Sequence, residues 1–325
     1  MNWTPLHDRL HRTFRQQPLL PKNRRILIAV SGGQDSLCLA KLLLDLRSKW
    51  HWQLGIVHCD HRWREDSAAN AEFVERLAKS WELPYYQKTA IAAVKTEAAA
   101  RQWRYETFGQ LALEFGYSIV VTGHTQSDRA ETLLYNLMRG AGADGLQSLT
   151  QIRSLIAGVH LVRPLLDITR RQTGEFCREQ QLSIWDDCTN RDLHYARNRI
   201  RRELIPYLQT HFNPGVEANL AKTAELLRAD VDYLESQARE LLDKVIAGNS
   251  TVLPLYLDRS LLQKAPLALQ RRACRQVLAA ILPSAPTFDL IEKFVALIAA
   301  PNKSRTDPFP GGAIAEVDGN WIAIR

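Results

Sequence analysis

Apolar residues in this chain alternate between two spacings. Residues 26–30 form a short unbroken apolar run, after which Leu39, Leu42, Leu43 and Leu46 recur every three or four positions, as on one face of a helix. The exchange then repeats. A strand is predicted at 54–58, a helix at 67–81 with Phe73, Val74, Leu77 and Ala78 turned inward, a short strand at 85–88 and a long helix at 96–115. Residues 118–122, SIVVT, are apolar enough to be buried on both faces. Strands alternating with helices of this length predict an α/β fold, an open doubly wound parallel sheet with right-handed crossovers.

Further along, residues 127–139 place Ala130, Leu133, Leu134, Leu137 and Met138 on one stripe, with Asp128 and Glu131 one turn apart on a polar face. Residues 140–145, GAGADG, fit a G-x-G-x-x-G spacing, but they follow a helix instead of a strand, so they predict a flexible turn and no dinucleotide site. A strand end is predicted at 160–166, a helix at 169–181, a turn at 185–187 and a helix at 195–208. HFNPG at 211–215 combines turn formers and marks the expected domain boundary. The expected organisation is an N-terminal segment 1–23, an α/β domain 24–215, a linker helix 216–246 and a smaller helix-rich domain 247–325. In that last domain Leu269, Ala273, Val277 and Ile281 share a face, with Arg271, Arg272 and Arg275 off it, and the end folds as a hairpin turning at Asp318 and Gly319.

Composition narrows the class only a little. At 325 residues with 46% hydrophobic content the chain can build a sizeable core and exceeds one average domain. No apolar run approaches the roughly 18 residues of a membrane helix, and the N-terminus has neither an apolar signal region nor a cleavage site, so a soluble cytoplasmic protein is expected. Five cysteines (Cys38, Cys59, Cys177, Cys188 and Cys274) contain no C-x-x-C pair and are expected to be reduced and buried. His58, Cys59 and His61 supply three candidate metal ligands without a distant fourth, a weak signal. Forty-two Lys and Arg against 35 Asp and Glu leave +7, compatible with a polyanionic partner and with an ordinary enzyme.

The chemistry concentrates at the first strand-to-helix turn. Ser31, Gly32, Gly33, Gln34, Asp35 and Ser36 follow the first strand, and the two glycines let the backbone amides approach an anion at the helix N-terminus. Two glycines alone also fit a plain connecting turn. The hexapeptide SGGQDS resembles the S-G-G-x-D-S signature of the PP-loop ATP pyrophosphatases, in which this loop holds the pyrophosphate of ATP during adenylation. It lacks the spacing and lysine of a Walker A loop. His58 closes the second strand and His124 follows the SIVVT strand, so three segments meet outside the carboxyl ends of the strands, where such sheets bind ligands.

Four further segments extend the resemblance. EAAARQWRY at 97–105, TGHTQSDRAETLLYNLMRGAGADGL at 122–146, RPLL at 163–166 and WDDCTNRDLHYARNRIRRELIP at 185–206 are together similar to the tRNA(Ile)-lysidine synthetase family, from about residue 24 to residue 214 and more loosely over 247–325, in its short form. That resemblance implies ATP and Mg2+ as cofactors and adenylation of the C2 carbonyl oxygen of the wobble cytidine in a CAU-anticodon isoleucine tRNA. L-lysine then displaces AMP to give lysidine. It implies that Ser31 to Ser36 bind ATP, with Asp35 reaching Mg2+ or the nucleotide, and that His124 and Asp128, matching G-H-x-x-x-D, position or deprotonate substrate. Arg101, Arg104 and Tyr105 share a helical face suited to clamping a base, or a solvated face with Glu97 paired to Arg101. Arg197, Arg199, Arg201 and Arg202 suit phosphate contacts or surface charge. The C-terminal domain is expected to bind tRNA, and both a monomer and a homodimer stay open.

Three departures from the family pattern stand out: Thr125 where many members have a second histidine, Arg129 where glutamine is usual, and HCDHRWR without its usual glycine. The rival reading is a PP-loop tRNA thiolase, disfavoured because sulfur transfer normally needs a cysteine pair or cluster. A small-molecule adenylating ligase and a nucleotide-binding regulator without chemistry are the remaining alternatives. The basic second domain speaks against the former, and an Asp, Ser, His and Asp set at one strand edge against the latter.

Overall fold

The computed structural model describes residues 3–62, 66–91, 96–186, 188–247 and 253–325, with the side chains of Glu97, Cys188 and Asn190 outside that description. Asp187 of the expected 185–187 turn, and Trp63 and Arg64 of HCDHRWR, fall outside it too. The chain divides into two compact units, Met1–Leu227 and Arg228–Arg325.

The first unit begins with α1 (Pro5–Gln16), which buries Leu6, Leu10 and Phe14 in the main core. Residues 1–23, treated from sequence as a segment apart, therefore belong to the α/β unit. Their tether is polar as well: buried His7 contacts Asp45 at 3.1 Å, and Lys41 reaches the same carboxylate at 2.6 Å. Next come β1 (Arg25–Ala29), α2 (Gln34–Trp50), β2 (Gln53–Asp60), α3 (Ser67–Ser80), β3 (Tyr85–Thr89), α4 (Glu97–Glu114), β4 (Ile119–Thr122) and α5 (Gln126–Met138). They alternate as the apolar periodicity requires. The expected flexible turn contains one helical turn, α6 (Ala143–Leu146). Then follow β5 (Ile152–Ile156), β6 (Val159–Val162) and α7 (Arg170–Glu179).

The six strands are ordered β3-β2-β1-β4-β6-β5, all parallel except β5, which pairs antiparallel with β6 at the edge. β1 lies between β2 and β4, so Ile26, Leu27 and Ile28 are fully buried. Against this sheet α2 packs Leu39, Leu42, Leu43 and Leu46, all at 0% exposure, each contributing roughly 1.5–3 kcal/mol by burial. The strand order reverses beside β1, and the β1–α2 turn opens there. That is the switch point where parallel sheets leave a crevice.

A 3-10 turn (Cys188–Arg191), α8 (Ala196–Arg199), a π-helical turn (Ile200–Leu204) and α9 (Ile205–His211) precede α10 (Val216–Val245), inside which the division between units falls. The second unit holds β7 (Ile246–Ala247), β8 (Leu255–Asp258), α11 (Arg259–Lys264), α12 (Leu267–Ile281), α13 (Phe288–Ala299), β9 (Ala315–Asp318) and β10 (Trp321–Ile324). The expected hairpin at 318–319 exists, but it belongs to a four-stranded antiparallel sheet ordered β7-β8-β10-β9, so this unit is mixed and not purely helical. Leu255, Leu257, Val317, Ile322 and Ile324 close its core with Val277 and Phe294. Arg271 pairs with Glu292, and Arg272 and Arg275 both pair with Glu235, so this basic stretch is already matched by carboxylates.

Candidate active site

Gly33 caps α2, which places the amides of Gln34, Asp35 and Ser36 in its unpaired first turn. The loop before it is held by its own serines. Ser36 Oγ donates to the Gly33 carbonyl at 2.8 Å and accepts from the Ser31 amide at 3.2 Å, and Ser31 Oγ accepts from the Gly33 amide at 3.3 Å. Gly32 sits at φ +86, where an added Cβ would lie 2.5 Å from Asn70 Oδ1. Trp185 donates its amide to the Gly32 carbonyl at 3.0 Å. Gly123, at the end of β4, passes so close to α2 that a Cβ would meet the Asp35 backbone at 2.8 Å.

Asp35 turns toward the start of α7. Its Oδ2 is 3.0 Å from Arg170 Nη1, and the Thr173 hydroxyl donates to Oδ1. Burial raises its pKa against the pull of Arg170. Gln34 donates to the Arg170 carbonyl at 2.6 Å and to Thr173 Oγ1 at 2.8 Å, so loop and α7 are tied at two adjacent residues.

On the β4–α5 side, Thr125 caps α5 and shares a reciprocal bond set with Asp128: the Thr125 amide and hydroxyl both donate to Asp128 Oδ2 at 2.8 Å. Thr125, a departure from the family pattern, thus has a capping role. Asp128 and Glu131 do not face solvent as the helical stripe suggested. They are 8% and 1% exposed and meet two arginines that follow much later in the same unit. Arg197 reaches Asp128 at 2.9 Å and Glu131 at 3.0 Å, while Arg201 reaches Glu131 at 2.6 Å and Asp128 at 3.4 Å. Burial pushes Asp128 upward, but Arg197, Arg201 and the Thr125 amide overcome it and hold the carboxylate far below its usual range. His124 is shifted well down by burial and by Arg163, Arg197 and Arg101, against Asp128, so its ring is neutral. Its Nδ1 lies 2.9 Å from Thr122 Oγ1, which leaves Nε2 for a ligand.

These groups line one cavity of about 440 Å³. Around it stand Ser31, Gly33, Gln34, Asp35 and Ser36 from the loop, His124 and Asp128 from the β4–α5 corner, and Arg101, Arg104 and Tyr105 from α4. Arg197 and Arg201 close the far side. Gly32 shapes the loop from behind, and Arg199 and Arg202 are exposed and outside the lining. His58 also lines the cavity, its Nδ1–H donating to the Val30 carbonyl at 2.8 Å, and burial then Arg104 bring the His61 pKa down to about 4. No group of three or more His, Cys, Asp or Glu that could hold a metal is present among the described residues. Cys38, Cys177 and Cys274 are buried and free, Cys59 is partly buried and free, and Cys188 is outside the described side chains.

The sequence reading did not single out Asn70, Glu131, Arg170, Thr173 and Trp185 as site residues. Asn70 Nδ2 donates to the Ser31 carbonyl at 3.1 Å, and the Trp185 indole donates to Asp66 at 3.2 Å. Arg129, the other described departure, is 2% exposed and joins the Leu149 carbonyl at 3.1 Å to Glu225 at 2.8 Å. It braces α5 from behind. Among the described residues no helix is long and apolar enough to cross a membrane.

A serine-glycine loop at the switch point of a parallel sheet, aimed at a cavity walled by charged groups, is the arrangement of a PP-loop nucleotide-using domain, and the family described as a PP-loop domain matches residues 4–208. A tRNA(Ile)-lysidine synthase of Nostoc sp. is 59% identical over 335 residues, covering 100% of this chain and 98% of that protein. That of Synechocystis sp. is 49% identical, covering 99% and 98%. The chain belongs to the tRNA(Ile)-lysidine synthase family. Among solved structures, a U34-tRNA thiolase from Methanococcus maripaludis superposes with a TM-score of 0.57 at 15% identity, over 68% of this chain and 78% of that one, a likeness of fold alone.

Proposed function

We propose that this protein is an ATP-dependent lysidine synthase acting on the CAU-anticodon isoleucine tRNA. The wobble cytidine C2 oxygen attacks the α-phosphorus of ATP and pyrophosphate leaves. The ε-amine of lysine then adds at C2 and AMP leaves. A ring oxygen is a poor leaving group as oxide and a good one as part of AMP. The observation that carries the reading is the loop at 31–36, whose amides open α2 into the cavity that also holds His124 and Asp128.

The residues divide the work. The amides of Gln34 to Ser36 receive the pyrophosphate oxygens, and Ser31 and Ser36 keep the loop in that shape. The Asp35 carboxylate would hold Mg2+, a hard cation that prefers oxygen, and the ion would supply charge neutralisation to the triphosphate. Asp128, fixed as an anion by two arginines, orients Arg197 and is a poor proton acceptor. Neutral His124 places a hydrogen-bonding nitrogen at the cavity without adding charge. Arg104 on the cavity wall, with exposed Arg199 and Arg202, supplies cationic contacts for RNA, and the second unit has tRNA contacts of its own.

The test is an incubation with ATP, L-lysine and a CAU-anticodon transcript. Lysine-dependent RNA modification with stoichiometric AMP release is expected. Modification that ignores lysine and requires a sulfur donor would establish the thiolase reading instead.

A further inference from the structure

Behind α4 lies a second cleft of about 440 Å³, and its charge is one-sided. Arg101, Arg153 and Arg163 line it with Tyr105, Gln102 and Thr150, and among the described residues no aspartate or glutamate lines it. The three guanidiniums gather on one phenol: Arg153 lies 4.4 Å and Arg101 5.2 Å from the Tyr105 ring centre, and Arg163 Nη2 is 3.5 Å from its hydroxyl. Arg163 is 2% exposed. Its Nη1 donates to the Thr150 carbonyl at 2.7 Å, but its Nε–H is buried with no acceptor among the described residues. Such an orphaned charged donor beside like charges is costly unless something negative is bound. Burial lowers the Arg163 pKa, and Arg153 and Arg101 lower it further.

We infer that this cleft receives the carboxylate of the amino-acid substrate. The inference rests on the lysidine-synthase reading and deepens it. Arg101 and Tyr105 line both this cleft and the ATP-side cavity, so a carboxylate held here lies one residue layer from the site where the amine reacts. A buried guanidinium fork suits a small free carboxylate, which can enter the cleft and take two parallel bonds. An RNA phosphate, carried on its backbone, would be met more readily by exposed arginines. Lysine contributes a single anion, so recognising it separates the amino acid from simple amines.

The experiment compares L-lysine with lysinamide, which keeps both amines and loses the carboxylate charge, in the wild type and in Arg153→Gln and Arg163→Lys. Arg153 is exposed, so Arg153→Gln folds even if Arg163→Lys does not. Both variants should raise the KM for lysine roughly tenfold, leave the KM for ATP and the tRNA affinity within about twofold, and shrink the preference for lysine over lysinamide. An unchanged lysine preference overturns the inference. So does a loss of tRNA affinity with lysine KM intact, which would make the cleft a phosphate site. If the wild type makes no lysine-dependent product at all, the parent reading fails, an outcome distinct from either.

Discussion

Glu131 offers the sharpest test of how this site is held, because it touches no expected substrate atom and yet anchors both inner arginines. Glu131→Gln preserves shape and removes one charge, leaving two guanidiniums against the single carboxylate of Asp128. Breaking a buried ion pair by removing one partner costs about 3–5 kcal/mol, because the survivor stays desolvated. Arg197 and Arg201 retain 28% and 21% side-chain exposure, so the lower end of that range applies. For a unit the size of Met1–Leu227 each kcal/mol shifts Tm by about 2–4 °C, so about 3 kcal/mol becomes roughly 6–12 °C.

Tryptophan fluorescence during a thermal ramp reads this unit selectively, since Trp321 is the one tryptophan beyond residue 227. Adding Arg201→Met to Glu131→Gln removes the surplus cation and should recover at least about 1 kcal/mol of the loss, the non-additivity expected of partners in one network. If Glu131→Gln moves the transition by less than a degree, the four charges are solvated and the account is wrong. A double variant that loses the sum of the two singles would refute it as well.

Three other outcomes follow from the same geometry. Gly32→Ala should weaken ATP binding at least tenfold, since a Cβ at φ +86 costs roughly 1–2 kcal/mol before its clash with Asn70 Oδ1; adding Asn70→Ala should restore part of it, whereas Gly123→Ala, which strikes backbone at Asp35, should admit no such rescue, as isothermal titration with a non-hydrolysable ATP analogue would show. The neutral ring of His124 titrates well below 6.5, and its charged form is the one the folded site rejects, so kcat/KM should stay level as pH falls through 6.5 and drop only in more acid solution; an inflection near 6.5 that disappears in His124→Asn would contradict this. Arg202→Gln should weaken tRNA binding and lower the salt slope by roughly 0.7–0.9 per lost phosphate contact, while Arg201→Gln should act mainly through stability; equal salt slopes for Arg202→Gln and wild type would remove Arg202 from the RNA surface.

What could be read from the sequence was what local spacing encodes. The apolar run 26–30, the helix face of Leu39 to Leu46 and the doubly buried SIVVT each carry their period within a dozen residues, and each became the expected element. α1 shows no clear apolar stripe in the sequence because its histidines and arginines interrupt Leu6, Leu10 and Phe14, and His7 is buried against Asp45. The edge strand β5 carries no such signal, because IRSLI has three exposed and two half-buried positions and none that is buried. In the second unit β7 is two residues long and β8 is four, too short for alternation to show. The site divides the same way. The 31–36 loop declares itself in one hexapeptide, whereas the inner ion network is written in two places: carboxylates three apart at 128 and 131, arginines four apart at 197 and 201. Each spacing alone describes a solvated helical face. Only their complementarity, two acids per turn of one helix against two bases on consecutive helical turns elsewhere, could have signalled that both faces are turned inward, and that signal exists only once the fold has brought α5 against α8 and the π-helical turn after it.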